Sequence, residues 1–297
     1  MTENSPPSPN LIQARAHELS PGFSIRRALP TREQRMIGAW CFLDHIGPVE
    51  FDADQGMHVG AHPHIGLQTF TWMVEGQIRH RDSLGYNQVI RPGQVNLMTA
   101  GKGVSHTEDS LPGEKRLHGA QLWIALPPEK ETIEPAFHHY SHLPEWRFGG
   151  LHYTLLAGQF QNQTSPVAVH TPLLGLDIFA PNGGASAVLH LNHAFEHGMM
   201  VLNGEVQLSC GESIKPGVLA YWPPGVSTLN VYLTAGTRLL FIGGEPFPEP
   251  VKIWWNFVSG ASDNLRQAVL DWNRFHTRFG VVPGQNHRRL TSPAYPS

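Results

Sequence analysis

Short apolar segments separated by glycine and proline are the feature that most constrains this chain. Its 297 residues include 30 glycines and 25 prolines, which fall between brief runs of apolar or alternating residues. Glycine and proline residues at these positions predict many strands joined by turns. Strand candidates include "LQTFTWMV" (67 to 74), "LHYTLLAG" (151 to 158) and "TRLLFIGG" (237 to 244). The chain is therefore predicted to be mainly β.

One segment near the C-terminus has a helical period instead. In "SDNLRQAVLDWNRFHTRFG" the apolar residues that recur at helical spacing are Leu265, Val269, Trp272 and Phe275. Ser262 or Asp263 is a suitable N-cap, and Gly280 a suitable stop. The pattern predicts one helix over about 262–279, with one apolar face packed against the β structure.

An internal repeat becomes visible when the turns are aligned. "WMVEGQI" (72 to 78) is similar to "MVLNGEV" (200 to 206), and "IRPGQVNLM" (90 to 98) is similar to "IKPGVLAYW" (214 to 222). Each pair repeats a strand, a turn and a strand at nearly the same offset. The repeat predicts two β-domains of similar plan.

The polar stretch "GQFQNQTSPV", residues 158–167, is the expected boundary between them. We expect a disordered tail over 1–10, because it is polar and rich in proline. The N-terminal domain is then expected over 11–160 and the C-terminal domain, with the helix, over 161–297.

Composition excludes several classes of partner. The formal net charge is -3, so neither nucleic acid nor an anionic membrane surface is an expected partner. No apolar run reaches the roughly 18 residues that span a bilayer, and the N-terminus lacks the features of a signal peptide. Two distant cysteines give no disulfide framework. We expect a cytoplasmic protein that acts as a monomer.

Two i, i+2 pairs, one of two histidines and one of a histidine and a glutamate, suggest a metal site. His62 and His64 are separated by one residue in "GAHPHIGLQ", and His106 and Glu108 are separated likewise in "GKGVSHTED". Residues i and i+2 of a strand point the same way, so each pair can face one ion. With 18 histidines, random order gives about one such pair, and a single histidine is more often a polar residue at a turn. The two pairs together favour metal binding.

Three imidazoles and one carboxylate form a mixed nitrogen and oxygen donor set. Such a set suits a first-row divalent ion such as Fe, Mn, Ni, Cu or Zn, and it does not suit Ca or Mg. Four protein ligands leave coordination positions open for water, substrate or dioxygen. The predicted site is therefore of the catalytic kind.

Longer motifs carry a family resemblance. The segments "FLDHIGP", "HPHIGLQT", "EGQIRHRDSLG", "QVIRPGQVNLMTAGKGVSHTE" and "WWNFVS" closely resemble those of the pirin family, across nearly the whole chain. The resemblance implies two cupin domains of β-barrel or jelly-roll type, with one metal site in the N-terminal domain. By matching positions, it implies the ligands His62, His64, His106 and Glu108.

The resemblance also implies an activity. It is that of a quercetin 2,3-dioxygenase, which opens the central ring of a flavonol with O2 and releases carbon monoxide. We expect one divalent transition-metal ion, with Fe(II) preferred over Mn, Ni, Co, Cu or Zn, and Glu108 as the group that accepts the substrate proton. The alternative is an iron-binding, redox-sensitive regulator that contacts a transcription factor or a metabolic enzyme. A third possibility is a site that mainly stabilises the barrel.

Other polar residues are candidates for supporting roles. Asp44 or His45, and His80 or Asp82, could accept the second N–H of a ligand imidazole. For the latter pair, a turn over residues 81–83 with local hydrogen bonds is the competing interpretation.

The second repeat has different residues at the ligand positions. Those residues are His190, Asn192, Thr228 and Asn230. A complete second metal site is therefore not expected. The cluster of His193, Glu196 and His197 is the remaining candidate there, with turn capping or a surface role as the alternative.

Overall fold

The protein is described by a computed structural model over four stretches of the chain, residues 8–20, 23–52, 56–284 and 288–296. Strands account for 52% of the residues and helix for 7%, which confirms the mainly β prediction. Residues 1–7 of the expected tail lie outside the described residues, and Asn10 already begins the first strand. No helix among the described residues is long and apolar enough to cross a membrane.

The first strands in chain order are β1 (Asn10–Gln13), β2 (Arg15–Ser20), β3 (Phe23–Leu29), β4 (Trp40–Glu50), β5 (His58–His64), β6 (Leu67–Glu75), β7 (Ile78–Asp82), β8 (Asn87–Ile90), β9 (Val95–Thr99), β10 (Val104–Ser110), β11 (Arg116–Ala125) and β12 (Ala136–Tyr140). The later strands are β13 (Glu145–Phe148), β14 (Leu151–Phe160), β15 (Gln163–Thr164), β16 (Leu173–Phe179), β17 (Ala185–His190), β18 (Glu196–Asn203), β19 (Val206–Leu208), β20 (Ser213–Ile214), β21 (Val218–Trp222), β22 (Thr228–Leu233), β23 (Arg238–Gly244), β24 (Lys252–Trp254) and β25 (Phe257–Ser259). The helices are α1 (Ser262–Asn273) and two short 3-10 helices, Pro128–Lys130 and Thr277–Phe279.

The chain forms two compact units that interleave along the sequence. The first-repeat unit comprises Ala16–Ile25, Leu43–His142 and Glu249–Ser297, and the second-repeat unit comprises Met1–Arg15, Arg26–Phe42 and Leu143–Pro248. The sequence predicted two contiguous domains with a boundary near residue 160. The structure differs because β14 pairs along its length with β16, which places 151–160 within the second-repeat unit.

Each unit encloses its own core between a large and a small sheet. In the first-repeat unit the small sheet has the order β5-β10-β7-β8, and its core includes Ile46, Val59 and Met73. In the second-repeat unit the small sheet has the order β17-β22-β19-β20, and its core includes Leu189 and Phe241. Burial of such apolar surface is the main stabilising contribution to a sandwich of this kind.

The internal repeat is visible in the strand pairing. β6 pairs with β9 and β11, while β18 pairs with β21 and β23. The turns after the aligned strands also match, because Gly76 and Gly204 have φ values of 80° and 79°. Only glycine adopts this left-handed backbone without steric cost. The two units thus share one plan.

The C-terminal helix packs in the first-repeat unit. It begins at Ser262 with Ala261 as N-cap and ends at Asn273, shorter than predicted. Its buried side chains include Leu265, Val269 and Trp272, as the periodicity predicted. Phe275 was predicted on the same face, but it lies beyond the helix end with φ 60° and is 73% exposed. Its ring instead packs on the guanidinium of Arg289.

Candidate metal centre

Strands β5 and β10 bring the predicted histidines together. They pair antiparallel, with His62 opposite His106 and with His64 opposite Val104. The register shifts just beyond the pair of His62 and His106, because Glu108 lies opposite Val59, so that Gly60 and Ala61 of β5 face the single residue Thr107 of β10. The extra residue therefore belongs to β5, whereas β10 pairs regularly with β7 from His106 to Ser110, so His106 and Glu108 keep the same face of β10.

The ring nitrogens of His62, His64 and His106 converge on one point. One ligand atom from each lies within 4.8 Å of the others, and all three residues are buried. The ring centroids of His62 and His106 are 4.3 Å apart. The edge of the His64 ring meets Trp123, with the centroids 5.2 Å apart. This packing restrains the His64 ring in its present position.

Backbone carbonyls determine the tautomers of two of these rings. The Nδ1 of His62 donates to the carbonyl oxygen of Gly60 at 2.8 Å. The Nδ1 of His64 donates to the carbonyl oxygen of Asn256 at 3.0 Å. Because a carbonyl oxygen only accepts, each Nδ1 carries the proton and each Nε2 keeps its lone pair. Both lone pairs are therefore available to a metal ion.

A buried chain of hydrogen bonds determines the third tautomer. The Oδ2 of Asp82 accepts from the Nε2 of His80 at 2.9 Å, so the Nδ1 of His80 is left as an acceptor. That Nδ1 lies 3.3 Å from the Nδ1 of His106, which therefore donates. The Nε2 of His106 thus keeps its lone pair as well. Stacking on Phe137 at 4.4 Å holds the His80 ring in place.

The resulting donor set fits a divalent transition-metal ion. The Nε2 atoms of His64 and His106 lie 3.1 Å apart, and with these tautomers neither has a proton to give to the other. Two nitrogen ligands about 2.1 Å from one ion lie about 3 Å apart when their bonds meet at about 90°. Burial lowers the pKa of His62 to about 4 and holds those of His64 and His106 well below the ordinary value. Neutral imidazoles are the form that binds metals.

Glu108 belongs to a second group of possible ligand atoms that shares His106 with the first. Its carboxylate forms this group with His80 and His106, again within 4.8 Å. The structure thus unites three of the four predicted ligands around one point, and Glu108 adjoins them through His106. Burial raises the pKa of Glu108 to about 7, with a further contribution from Asp109, while a hydrogen bond with Thr71 opposes the shift.

Of the residues predicted to support the ligands, His80 and Asp82 lie next to them. Asp82 takes both roles considered from the sequence, local hydrogen bonding in a turn and support of an imidazole. Its Oδ1 accepts hydrogen bonds from the backbone N–H groups of Leu84 and Tyr86, and its Oδ2 accepts one from His80. His45 lies in β4, where its Nε2 is 3.0 Å from the Nε2 of His118. Neither it nor Asp44 belongs to the two groups of ligand atoms found in the described residues.

Comparison with known proteins gives the family. A family model described as Pirin matches residues 22–124, and one described as Pirin C-terminal cupin domain matches residues 177–280. A Pseudomonas aeruginosa protein named "Putative quercetin 2,3-dioxygenase" is 47% identical over 285 residues, covering 96% of this chain and 90% of that protein. The chain belongs to the pirin family. The expected fold of two cupin domains is thereby confirmed.

Solved structures agree with this pirin assignment. A crystal structure of quercetin 2,3-dioxygenase from Acinetobacter baumannii has a TM-score of 0.95 and 46% identity, covering 98% of this chain and 96% of that chain. The bacterial pirin YhhW from Escherichia coli, solved in complex with nickel(II), has a TM-score of 0.63 and 18% identity. The match covers 80% of this chain and 99% of that chain. At that identity the second likeness supports the fold alone.

Sequence reasoning about this pirin missed one contribution to the site. Asn256, whose carbonyl orients His64, lies in the C-terminal segment and far from the ligands in sequence. A backbone carbonyl leaves no mark in the side-chain pattern. The motif "WWNFVS", which contains Asn256, was the available signal, and it indicated the family without indicating a role.

The cluster predicted in the second repeat has other partners. The carboxylate of Glu196 accepts from the backbone N of Gly38 at 2.6 Å and from the hydroxyl of Tyr221 at 2.9 Å. His197 is fully buried and stacks on Phe241. Neither of its ring nitrogens has a hydrogen-bond partner among the described residues.

We expect Asp82→Asn to weaken metal binding about 10- to 100-fold. The amide would donate to the Nε2 of His80, which would then carry its proton on Nδ1 and reverse the tautomer of His106. Competition with a chromophoric chelator measures the affinity. Asp52→Asn, at an exposed position, is the control with the same charge change. Equal affinity in the Asp82 variant and the wild type would contradict the role of this chain of hydrogen bonds.

We expect His197→Leu to make the protein less sensitive to acid. Burial lowers the pKa of His197 to about 4, whereas the unfolded chain takes up this proton near pH 6.5. The unfolded state binds more protons in this window, so the wild type loses stability as pH falls from 6.5 towards 4. At pH 5 the variant should gain about 2 kcal/mol relative to the wild type beyond its difference at pH 7.5. Urea unfolding at both pH values tests this, and an unchanged difference would refute it.

Proposed function

We propose that this chain is a metal-dependent dioxygenase that opens the flavonol ring of quercetin-like substrates with O2 and releases carbon monoxide. The observation that carries the proposal is the convergence of three buried imidazoles, each with its Nε2 lone pair turned towards the others. Preorganised neutral donors of this kind suit a catalytic ion better than a purely structural role, because three protein ligands leave coordination positions open. The names of the two similar quercetin dioxygenases support the reaction type.

In this proposal His62, His64 and His106 hold one divalent transition-metal ion, with Glu108 as the fourth ligand. Fe(II) is the proposed ion, and Mn, Ni, Co, Cu and Zn fit the same donors, since their affinities follow the general first-row order. Nickel(II) was found in the pirin YhhW, which shares the fold. Support for Glu108 as a ligand comes from the second group of ligand atoms, in which its carboxylate lies with His80 and His106.

The bound ion would supply a centre at which a deprotonated flavonol and dioxygen are brought together. Around it, neighbouring residues of the chain orient the imidazole rings and keep water away from them. Trp123 and Phe137 hold the rings of His64 and His80 and exclude water from the imidazoles. Glu108 accepts the proton of the substrate 3-hydroxyl on a carboxylate oxygen, since it is the carboxylate grouped with His106. The flavonol is left as the electron-rich anion that reacts with dioxygen.

Anaerobic reconstitution followed by addition of oxygen tests the proposal. Metal-free protein is loaded with Fe(II), and then with each other first-row ion in turn, before air and quercetin are added. We expect loss of the flavonol absorbance and one carbon monoxide for each quercetin consumed. His190→Ala is the matched control, because His190 is exposed and occupies the position of His62 in the second repeat.

Two outcomes would contradict the dioxygenase. Silence with every ion, in protein shown by elemental analysis to be loaded, would refute turnover and favour the regulatory alternative, in which bound iron changes a contact with a protein partner. A pull-down whose yield depends on the oxidation state of the iron would then support that alternative. Turnover in a variant lacking His64 would show that the activity arises elsewhere.

A further inference from the structure

The outer face of the small sheet in the first-repeat unit carries a cluster of arginines. Arg79 and Arg81 lie two residues apart on β7, so their side chains share one face. They line a pocket of about 250 Å³ together with His58, Asp109 and Arg288. We call these five residues and the space between them the arginine pocket.

Asp109 organises two of the arginines. Its Oδ1 accepts from Nη1 of Arg288 at 2.8 Å, and its Oδ2 accepts from Nη1 of Arg81 at 3.3 Å. Nδ1 of His58 lies 3.0 Å from the same Oδ1. The Asp109 side chain is only 10% exposed, so these contacts lie in a partly desolvated setting. The two guanidinium groups are thus held in place before any ligand arrives.

Arg79 is the unusual member. It lies opposite Asp109 in the strand register, yet the carboxylate is taken by Arg81 and Arg288. Among the residues that the structure describes, the side chain of Arg79 has no hydrogen-bond or ion-pair partner. Its backbone is in the sheet and its side chain is only partly exposed. A guanidinium group without a counter-charge at a partly buried position is available to form charge-assisted hydrogen bonds with a bound anion.

Charge and shape indicate what such an anion would be. The three arginines and the one carboxylate that line the pocket sum to a formal charge of +2. Guanidinium groups bind the oxygens of phosphate in pairs, which a single ammonium group does not do. The pocket is larger than a bare phosphate ion, and Leu111 and Pro112 give it an apolar rim. A small organic group attached to the phosphate would lie against that rim.

We propose that the arginine pocket binds a dianionic oxyanion of the phosphate monoester class, with Arg79 as its principal contact. The site is separate from the metal centre, because successive residues of a strand face opposite sides. His80 and His106 belong to the inner face that carries the candidate ligands, whereas Arg79 and Asp109 belong to the outer face.

Titration calorimetry of the full chain with inorganic phosphate and with phenyl phosphate tests the proposal. We expect saturable binding of one equivalent, with a dissociation constant below about 1 mM and tighter binding of phenyl phosphate. Arg79→Gln should weaken both by about tenfold or more, because one charge-assisted contact is lost. Arg79→Lys keeps the positive charge but lacks the paired N–H donors of a guanidinium group. Its affinity for both ligands should therefore lie between those of the wild type and Arg79→Gln.

Controls separate this site from other sources of binding. Arg147→Gln removes one exposed arginine in the second-repeat unit and should leave the affinity unchanged. Protein stripped of metal with a chelator should bind phosphate as loaded protein does, since the pocket contains no metal ligand. Benzoate, a monoanion with the same ring, should bind more weakly than phenyl phosphate. The proposal fails if binding is absent at 10 mM phosphate, about ten times the expected limit, or if folded Arg79→Gln binds like the wild type.

Discussion

Substituting His64 by alanine is expected to weaken metal binding by more than about 100-fold and to abolish turnover. Substituting a residue that only supports a ligand typically lowers metal affinity 10- to 100-fold. Loss of one of the three converging imidazoles should therefore lower it further. His64 gives the clearest test because the positions of both its ring nitrogens are established. Its Nδ1 donates to the carbonyl oxygen of Asn256, and its Nε2 lies 3.1 Å from the Nε2 of His106. Competition against a chromophoric chelator, followed by elemental analysis, measures the loss.

Removal of a buried side chain also leaves a cavity, so the fold must be checked. His64→Gln keeps most of the volume and a hydrogen-bonding side chain, and it should also lose the metal. His152→Ala, at a partly buried histidine in the second-repeat unit, controls for loss of any imidazole. If either His64 variant, shown folded by circular dichroism, bound metal as the wild type does, the proposed centre would be wrong.

Glu108→Gln is expected to lower carbon monoxide release per bound ion by about 10²- to 10⁴-fold. The amide has nearly the same shape but cannot take the proton of the substrate 3-hydroxyl. The three histidines remain, so the variant should still bind the metal, although with lower affinity. Turnover is therefore measured at metal concentrations that saturate the variant, and the rate is divided by the metal bound.

Two comparisons keep this result interpretable. Glu145→Gln makes the same substitution at an exposed position of β13 and should leave turnover unchanged. Supplying the flavonol already deprotonated, at raised pH, should restore part of the rate of Glu108→Gln but not that of His64→Ala. A Glu108→Gln rate equal to that of the wild type would remove Glu108 as the proton acceptor.

The positions of the candidate ligands could be predicted from local alternation. His62 and His64 share a face because side chains of a strand alternate, and this needs no knowledge of the rest of the fold. The glycines of "GKGVSH" likewise indicated a turn, and Gly101 there has φ 49° with the carbonyl oxygen of Ile133 where a Cβ would lie. Any other residue at that position would clash and displace β10.

Glu108 shows where local alternation stops being sufficient. His106 and Glu108 are also i and i+2, and the alternation places both on one ion. β10 pairs regularly with β7 between them, so they share a face, yet the Glu108 carboxylate groups with His80 and His106 and not with His62 and His64. Which side chains surround a carboxylate on that face depends on how β5 and β7 pair with β10, and the sequence of β10 alone does not encode that pairing.

Strand periodicity, turn glycines and the paired histidines thus account for the β class, the repeat and the three converging imidazoles. The tautomers depend on the carbonyls of Gly60 and Asn256 and on the contact between His80 and His106, the last two being brought in from other elements. The arginine pocket likewise requires Arg288 to reach Asp109 across 179 positions of sequence. Periodicity determines which way a side chain faces, whereas its neighbours are determined only when distant segments pack together.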